Sequence, residues 1–326
     1  MSEARIGIDR REFLRVGGAI VGASTLPGVA APAGASPLPS PRPPGFIIDS
    51  HNHFQPTEQW IGQMVHAYRA HGAMACSNCR IGDLAVMRRA VGEAPDVFIP
   101  FGRVSVDDVG AVREVETFHD NGFAGIKFHS PQKNWDDPSY FQVYRLCEHL
   151  GMHMLFHTGI SSRGNLEEPG WGSSSRMRPM YLDTLCRQFP AASIQGAHLG
   201  NPWYEEAAEA SRWNPNLVFD LTGSTLYKLI KMNRLERIGE AFWWADWGEG
   251  ADNPHTLRGG PTAWEHVVFG TDEGPAGLAG NIERFQRALD ANGVPEGDRA
   301  KMWGLTMARI LGIDPSTRLR VSGGSR

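Results

Sequence analysis

Residues 46–54 read "FIIDSHNHF". The apolar, strand-like start Phe46-Ile47-Ile48 runs straight into Asp49-Ser50-His51-Asn52-His53. In a strand, side chains two apart share a face, so His51 and His53 point the same way, with Cα atoms roughly 6–7 Å apart. That separation lets two imidazoles converge on one metal ion. A pair of surface histidines in a loop is the plain alternative, and the stretch alone leaves both open.

Working outward, short apolar runs alternate with longer amphipathic ones. Strands are expected at Phe46–Ser50, Ala73–Ser77, Val97–Val104, Gly122–His129, His153–His157, Ser193–His198, Leu217–Leu221 and His266–Thr271. Helical stretches such as "VGAVREVETFHDNG", "FQVYRLCEHLG" and "PMYLDTLCRQFP" lie between them. The first two end at Gly122 and Gly151, residues suited to helix C-caps. Strands alternating with helices imply a parallel sheet, and eight such units a (β/α)8 TIM-like barrel in the α/β class. Two connections, residues 158–179 and 239–265, are too long for plain loops and are candidate lids or binding loops.

The strand ends carry the chemistry. The first strand closes on His51 and His53, the fifth on His157, the sixth on His198, and the eighth runs into Asp272. In a barrel the C-terminal strand ends gather around one mouth, where active sites sit. A lone strand-end histidine is more often a satisfied core residue, but a series in barrel register points to a site. Imidazoles with a carboxylate suit Zn²⁺ or another borderline divalent metal.

The stretches "IDSHNHF", "GFAGIKFHSP", "HTG", "AHLGNPW", "PNLVFDLTGST" and "VVFGTDEGP" together resemble the amidohydrolase-2 branch of the amidohydrolase superfamily. That branch is similar to aminocarboxymuconate semialdehyde decarboxylase and pyrone dicarboxylate hydrolase. The resemblance runs from about residue 46 to Ile313 and implies a metal-dependent barrel enzyme. It implies one divalent metal, zinc by expectation, on His51, His53, His157 and Asp272, with His198 as a catalytic histidine. In other branches a carboxylated lysine on the fourth strand bridges two metals. Lys127 occupies that strand, with His129 on the same face, so a binuclear site is the alternative. Thr306 stands where the family has Asn, and Glu273 follows Asp272; both are departures.

The expected activity is hydrolysis of an ester, lactone or amide in a small, carboxylated or aromatic substrate, with Asp272 as general base. A non-oxidative decarboxylase on the same metal site and an exported, non-catalytic binding protein are the competing readings. Arg163, Arg176 and Arg178 could grip a substrate carboxylate. Trp171, Trp243, Trp244 and Trp247 could wall a flat ring, and Lys127 and His129 could face the substrate.

Residues 1–35, with Arg10-Arg11, Phe13-Leu14 and a Gly- and Ala-rich run, read as a twin-arginine signal peptide. Residues 36–45 read as a Pro-rich linker, 46–313 as the barrel and 314–326 as a tail. The expected location is therefore periplasmic or extracellular. Net charge is -4, with no basic stripe to suggest nucleic acid, and no stable membrane association is expected after cleavage. A homodimer is suggested by analogy with the family. Cys76 and Cys79 form one C-x-x-C; buried free thiols and a local disulfide are both open.

Overall fold

The computed structural model describes residues 45–162, 173–245 and 253–321. Eight parallel strands follow one another in sequence order, β1 to β8. They are Ile47–His53, Ala73–Cys79, Phe98–Val104, Gly125–Phe128, His153–Phe156, Ile194–Gly196, Leu217–Asp220 and Val267–Val268. Each neighbours the next, and β8 meets β1 through Ser50 N–H to Phe269 O at 3.0 Å and Asp272 N–H to His51 O at 2.7 Å. The sheet thus closes into the expected (β/α)8 barrel.

The helices that pack outside the sheet are amphipathic. α1 (Glu58–Ala70) starts at Thr57, whose hydroxyl accepts from the Trp60 N–H, satisfying one orphan donor of the first turn. Trp60, Ile61, Met64 and Tyr68 form its buried face. α2 (Leu84–Glu93), α3 (Ala111–Asp120), α4 (Phe141–His149), α5 (Met180–Gln188), α6 (Tyr204–Arg212) and α7 (Ser224–Lys231) follow successive strands. A short α8 (Arg237–Ala241) precedes β8, and α9 (Leu278–Ala291) follows it. α3 comes close to β3 because Gly102 has no side chain there; any Cβ would run into the Phe118 ring.

Two apolar layers result. Outward strand residues such as Ile47, Phe98 and Ile126 pack under the helices. Inward residues Ile48, Met74, Ile99, Phe101, Val218 and Val268 plug the N-terminal end of the lumen. A cavity of about 340 Å³ at that end, lined by Met74, Phe123, Ile313 and Leu319 among others, lies away from the strand-end histidines.

Several boundaries differ from expectation. β1 continues through His53 because Asn52 and His53 stay paired with Ser77 and Asn78 of β2. β2 is a full strand of seven residues. β4 begins at Gly125, since Gly122, at φ +82°, completes the turn after α3. β8 pairs over only two residues because the chain then turns inward toward Asp272. Cys76 and Cys79 lie three apart on β2 and therefore face opposite sides of the sheet. Both are buried and unbridged, as are Cys147 and Cys186. Among the described residues no helix is long and apolar enough to cross a membrane.

Candidate active site and metal centre

The histidines of β1 reach the lumen through an irregularity. Register with β2 slips between Asp49 and Asn52. Ser50 already faces inward, where the Gln195 amide donates to its hydroxyl at 2.9 Å. The slip turns His51 and His53 inward as well, while Asp49 faces α1 and the end of β8. There the Asp49 carboxylate accepts from Tyr68 Oη at 2.6 Å, from Thr271 Oγ1 at 2.7 Å and from Thr271 N–H at 2.9 Å. Those bonds tie β1 to the segment carrying Asp272. Asp272 itself has φ +56° and His198 φ +63°, a region costly for residues with a side chain. Both are held there by their surroundings.

The side chains converge. Asp272 Oδ1 lies 2.9 Å from His53 Nε2 and 3.2 Å from His51 Nε2. The ligand atoms of His51, His53 and Asp272 all fall within 4.8 Å of one another. His198 stands beside His51, ring centroids 5.3 Å apart. His157 is one step further round, 4.8 Å from the His198 ring and 4.2 Å from that of His129. Lys127 is buried in the same lumen, its Nζ 3.0 Å from His51 Nε2.

Hydrogen bonds assign the ring protons. His51 Nδ1 faces Asp220 Oδ2 at 3.2 Å, so Nδ1 carries the proton and Nε2 offers a lone pair to the site. The Thr222 hydroxyl gives its single proton to Asp220 Oδ1 at 2.6 Å. It must then accept from His198 Nδ1, 2.7 Å away, which leaves a lone pair on His198 Nε2. His157 Nδ1 sits 3.3 Å from that lone pair and donates to it. His157 Nε2 is left buried, unprotonated and with no hydrogen-bond partner among the described residues. A buried imidazole nitrogen without a partner is costly, and a cation is the natural way to satisfy it. The donor set therefore fits a divalent metal, with Asp220 behind His51 as a supporting carboxylate. Asp220 can also be grouped with His51 and His198 as a ligand cluster. Its oxygens, however, are already taken by His51, Gln195, Thr222 and the His198 N–H, so it orients rather than ligates.

The electrostatics agree. Burial, then Lys127, lowers the His51 pKa from 6.5 to about 4, so the ring is neutral and able to ligate. Burial likewise holds His157 and His198 below the usual histidine value. Burial alone would raise the Asp272 pKa, but His51 and His53 outweigh it and hold the carboxyl well below its usual range. Burial lowers Lys127 to about 8, against the pull of Asp272 and Asp220.

The model of the amidohydrolase family (Amidohydro_2) matches residues 53–313. The chain belongs to the amidohydrolase family. It is an enzyme of the amidohydrolase superfamily, with a candidate His/Asp metal site. No curated protein sequence matches it. Among solved structures, a TIM-barrel protein of Bordetella bronchiseptica shares 16% identity, covering 82% of this chain and 98% of that one, with TM-score 0.59. A probable 2-pyrone-4,6-dicarboxylic acid hydrolase of Acinetobacter baumannii shares 13%, covering 82% and 99%, with TM-score 0.55. The 5-carboxyvanillate decarboxylase of Sphingomonas paucimobilis shares 14%, covering 82% and 99%, with TM-score 0.53. At these identities the likeness is one of fold.

Within this amidohydrolase, the long-loop candidates fare differently from the strand-end ones. Arg178 is committed elsewhere: it is paired with Glu206 and stacked 4.7 Å over the Trp203 ring. Trp244 is not at the mouth but buried under the helices, against Phe242. Trp243 lies on the surface, donating to Glu209. Arg163, Trp171 and Trp247, like the leader of residues 1–35, lie outside the described residues. Sequence reasoning missed Asp220, although "NLVFD" carries the same signal as the other strands, an apolar run ending in a polar group. It also missed Gln195 and Asp49, which a pattern of strand ends cannot single out.

Proposed function

We propose that this amidohydrolase cleaves an ester, lactone or amide bond of a small carboxylated or aromatic molecule, using one divalent metal, zinc by preference. The observation that carries the reading is the meeting of His51, His53 and Asp272 ligand atoms within 4.8 Å of one another. The partnerless His157 Nε2 lies further round, on a ring packed against His198. His51, His53, His157 and Asp272 would hold the metal. When bound, such an ion lowers the pKa of water to about 7 and polarises a carbonyl.

The chain's own groups supply the rest. Asp272, ionised at neutral pH and partly open to the mouth, accepts the proton of the attacking water. His198, neutral and accepting from His157 Nδ1 at its Nε2, holds the His157 ring in place. In this tautomer it does not donate to a developing oxyanion. That task falls to the buried Lys127, which donates to His51 Nε2 in the structure and would be free for it if that nitrogen served as a ligand. Carboxylation of Lys127 in a two-metal site would remove that donor, which favours one metal. The Arg10-Arg11 leader supports export in the folded state, and with it a scavenging role on extracellular esters, lactones or amides.

The test is to supply the purified full chain with Zn²⁺ and screen lactones, aryl esters and hydroxybenzoates, following acid release and CO2 together. The expected result is acid release without CO2, abolished in Asp272→Asn. Release of CO2 alone would sink the hydrolase reading in favour of a decarboxylase.

A further inference from the structure

The charges of the lumen are divided. The carboxylates Asp220 and Asp272 sit at the ends of β7 and β8, beside the histidines of β1. The facing wall, β3 and β4, carries Arg103, Lys127 and His129. Arg103 belongs to the lumen by alternation: Ile99 and Phe101, four and two residues before it, plug the barrel interior. Its neighbours Gly102 and Val104 face the helices instead. It is level with Lys127 across the β3–β4 ladder, so it stands at the same depth as the site.

Arg103 is half-buried, and no hydrogen bond or ion pair engages its guanidinium among the described residues. Burial, followed by the like charge of Arg80, pulls its pKa below the usual value. Lys127, by contrast, is balanced by Asp272 and Asp220. A desolvated charge beside a like charge destabilises the folded chain unless an anion completes it. The planar fork of a guanidinium matches a carboxylate in two parallel hydrogen bonds.

We propose that Arg103 is the specificity-determining residue of the site, binding a carboxylate of the substrate on the β3 wall while the scissile group lies at the His/Asp cluster. The substrate class is then a small molecule with a carboxylate set apart from its reacting bond. The inference rests on the site being catalytic, but not on which bond it breaks.

The test measures binding, not turnover. Isophthalate and its neutral isostere 1,3-dinitrobenzene, neither of which has a bond for a hydrolase to cleave, are titrated calorimetrically into the full chain, with Arg103→Met, Arg103→Lys and Arg178→Met as variants. Wild type should prefer isophthalate to the dinitro compound. Arg103→Met should lose at least tenfold in isophthalate affinity, leave dinitrobenzene affinity unchanged and melt no lower than wild type, since an uncompensated charge has gone. Arg103→Lys should fall between, and Arg178→Met should match wild type. Equal isophthalate binding by Arg103→Met, with the carboxylate held by the metal alone, would overturn the proposal. So would a loss of binding that comes with a lowered melting temperature, which marks a structural role. If the hydrolase reading fails because CO2 is released, a positive result here still stands.

Discussion

The two ends of the barrel lumen are built by the same eight strands and do opposite things. At the N-terminal end Ile48, Met74, Ile99, Phe101, Val218 and Val268 close the interior with apolar contacts. A few residues along the same strands, the inward positions become His51, Arg103, Lys127, Gln195, His157 and Asp220. The alternation continues unbroken except at the slip in β1, and only the chemistry changes. One end holds the barrel together. The other accepts buried, mutually repelling or unpartnered groups that the first end makes tolerable.

That contrast can be broken by mutation. The largest effect is expected at the mouth: Asp272→Asn should lower kcat/KM about 10⁴-fold, some 5 kcal/mol of transition-state stabilisation, with melting little changed. Kinetics alongside thermal unfolding checks both halves. Phe101→Ala, at the apolar end, should do the reverse. A loss of about 3–5 kcal/mol in denaturant unfolding is expected, with metal stoichiometry kept in the folded fraction. A variant of Phe101 that kept full stability would remove the division of labour.

Asp220→Asn tests the support behind His51. It should weaken metal affinity about 10–100-fold, read by competition with a chelator, because the His51 ring loses its anchor. Metal affinity equal to wild type would mean that Asp220 does not orient the ring.

Acid should expose the polar end before the apolar one. The folded-state pKa of His51 is lowered from 6.5 to about 4 by burial, so the unfolded chain binds its proton first. Its contribution is complete above pH 6.5 and is lost as pH falls toward 4, at about 1.4 kcal/mol per pH unit. Metal-free protein unfolded by urea across that window should show the slope, and His51→Gln should flatten it. The smallest effect is expected at Arg178→Ala, whose half-exposed pair with Glu206 is worth less than about 1 kcal/mol. Activity within twofold of wild type is the expected outcome.

How much of this was legible follows from range. The strand-end histidines and Asp272 stood out because each closes an apolar run, and barrel topology needs only the order of such runs. Trp244 and Arg178 misled because a long loop between strands carries no periodicity to say which side chains turn inward. One is drawn under the helices and the other is paired across to Glu206. The C-x-x-C motif left two readings open, and the structure has the buried free thiols: on a strand the two diverge, whereas a turn would have brought them together.

By itself the sequence determined the alternating strands and helices, the barrel they imply and the polar groups at their ends. These are local: a residue's hydrophobicity and its spacing from the next already encode them. Only the tertiary structure decided the proton on each imidazole, the unpartnered nitrogen of His157 and the uncompensated charge of Arg103. The imidazole protons depend on groups such as Asp220 and Thr222, more than 150 residues from His51 and brought near it by closure of the sheet. The Arg103 charge depends on what the β3–β4 pairing sets beside it.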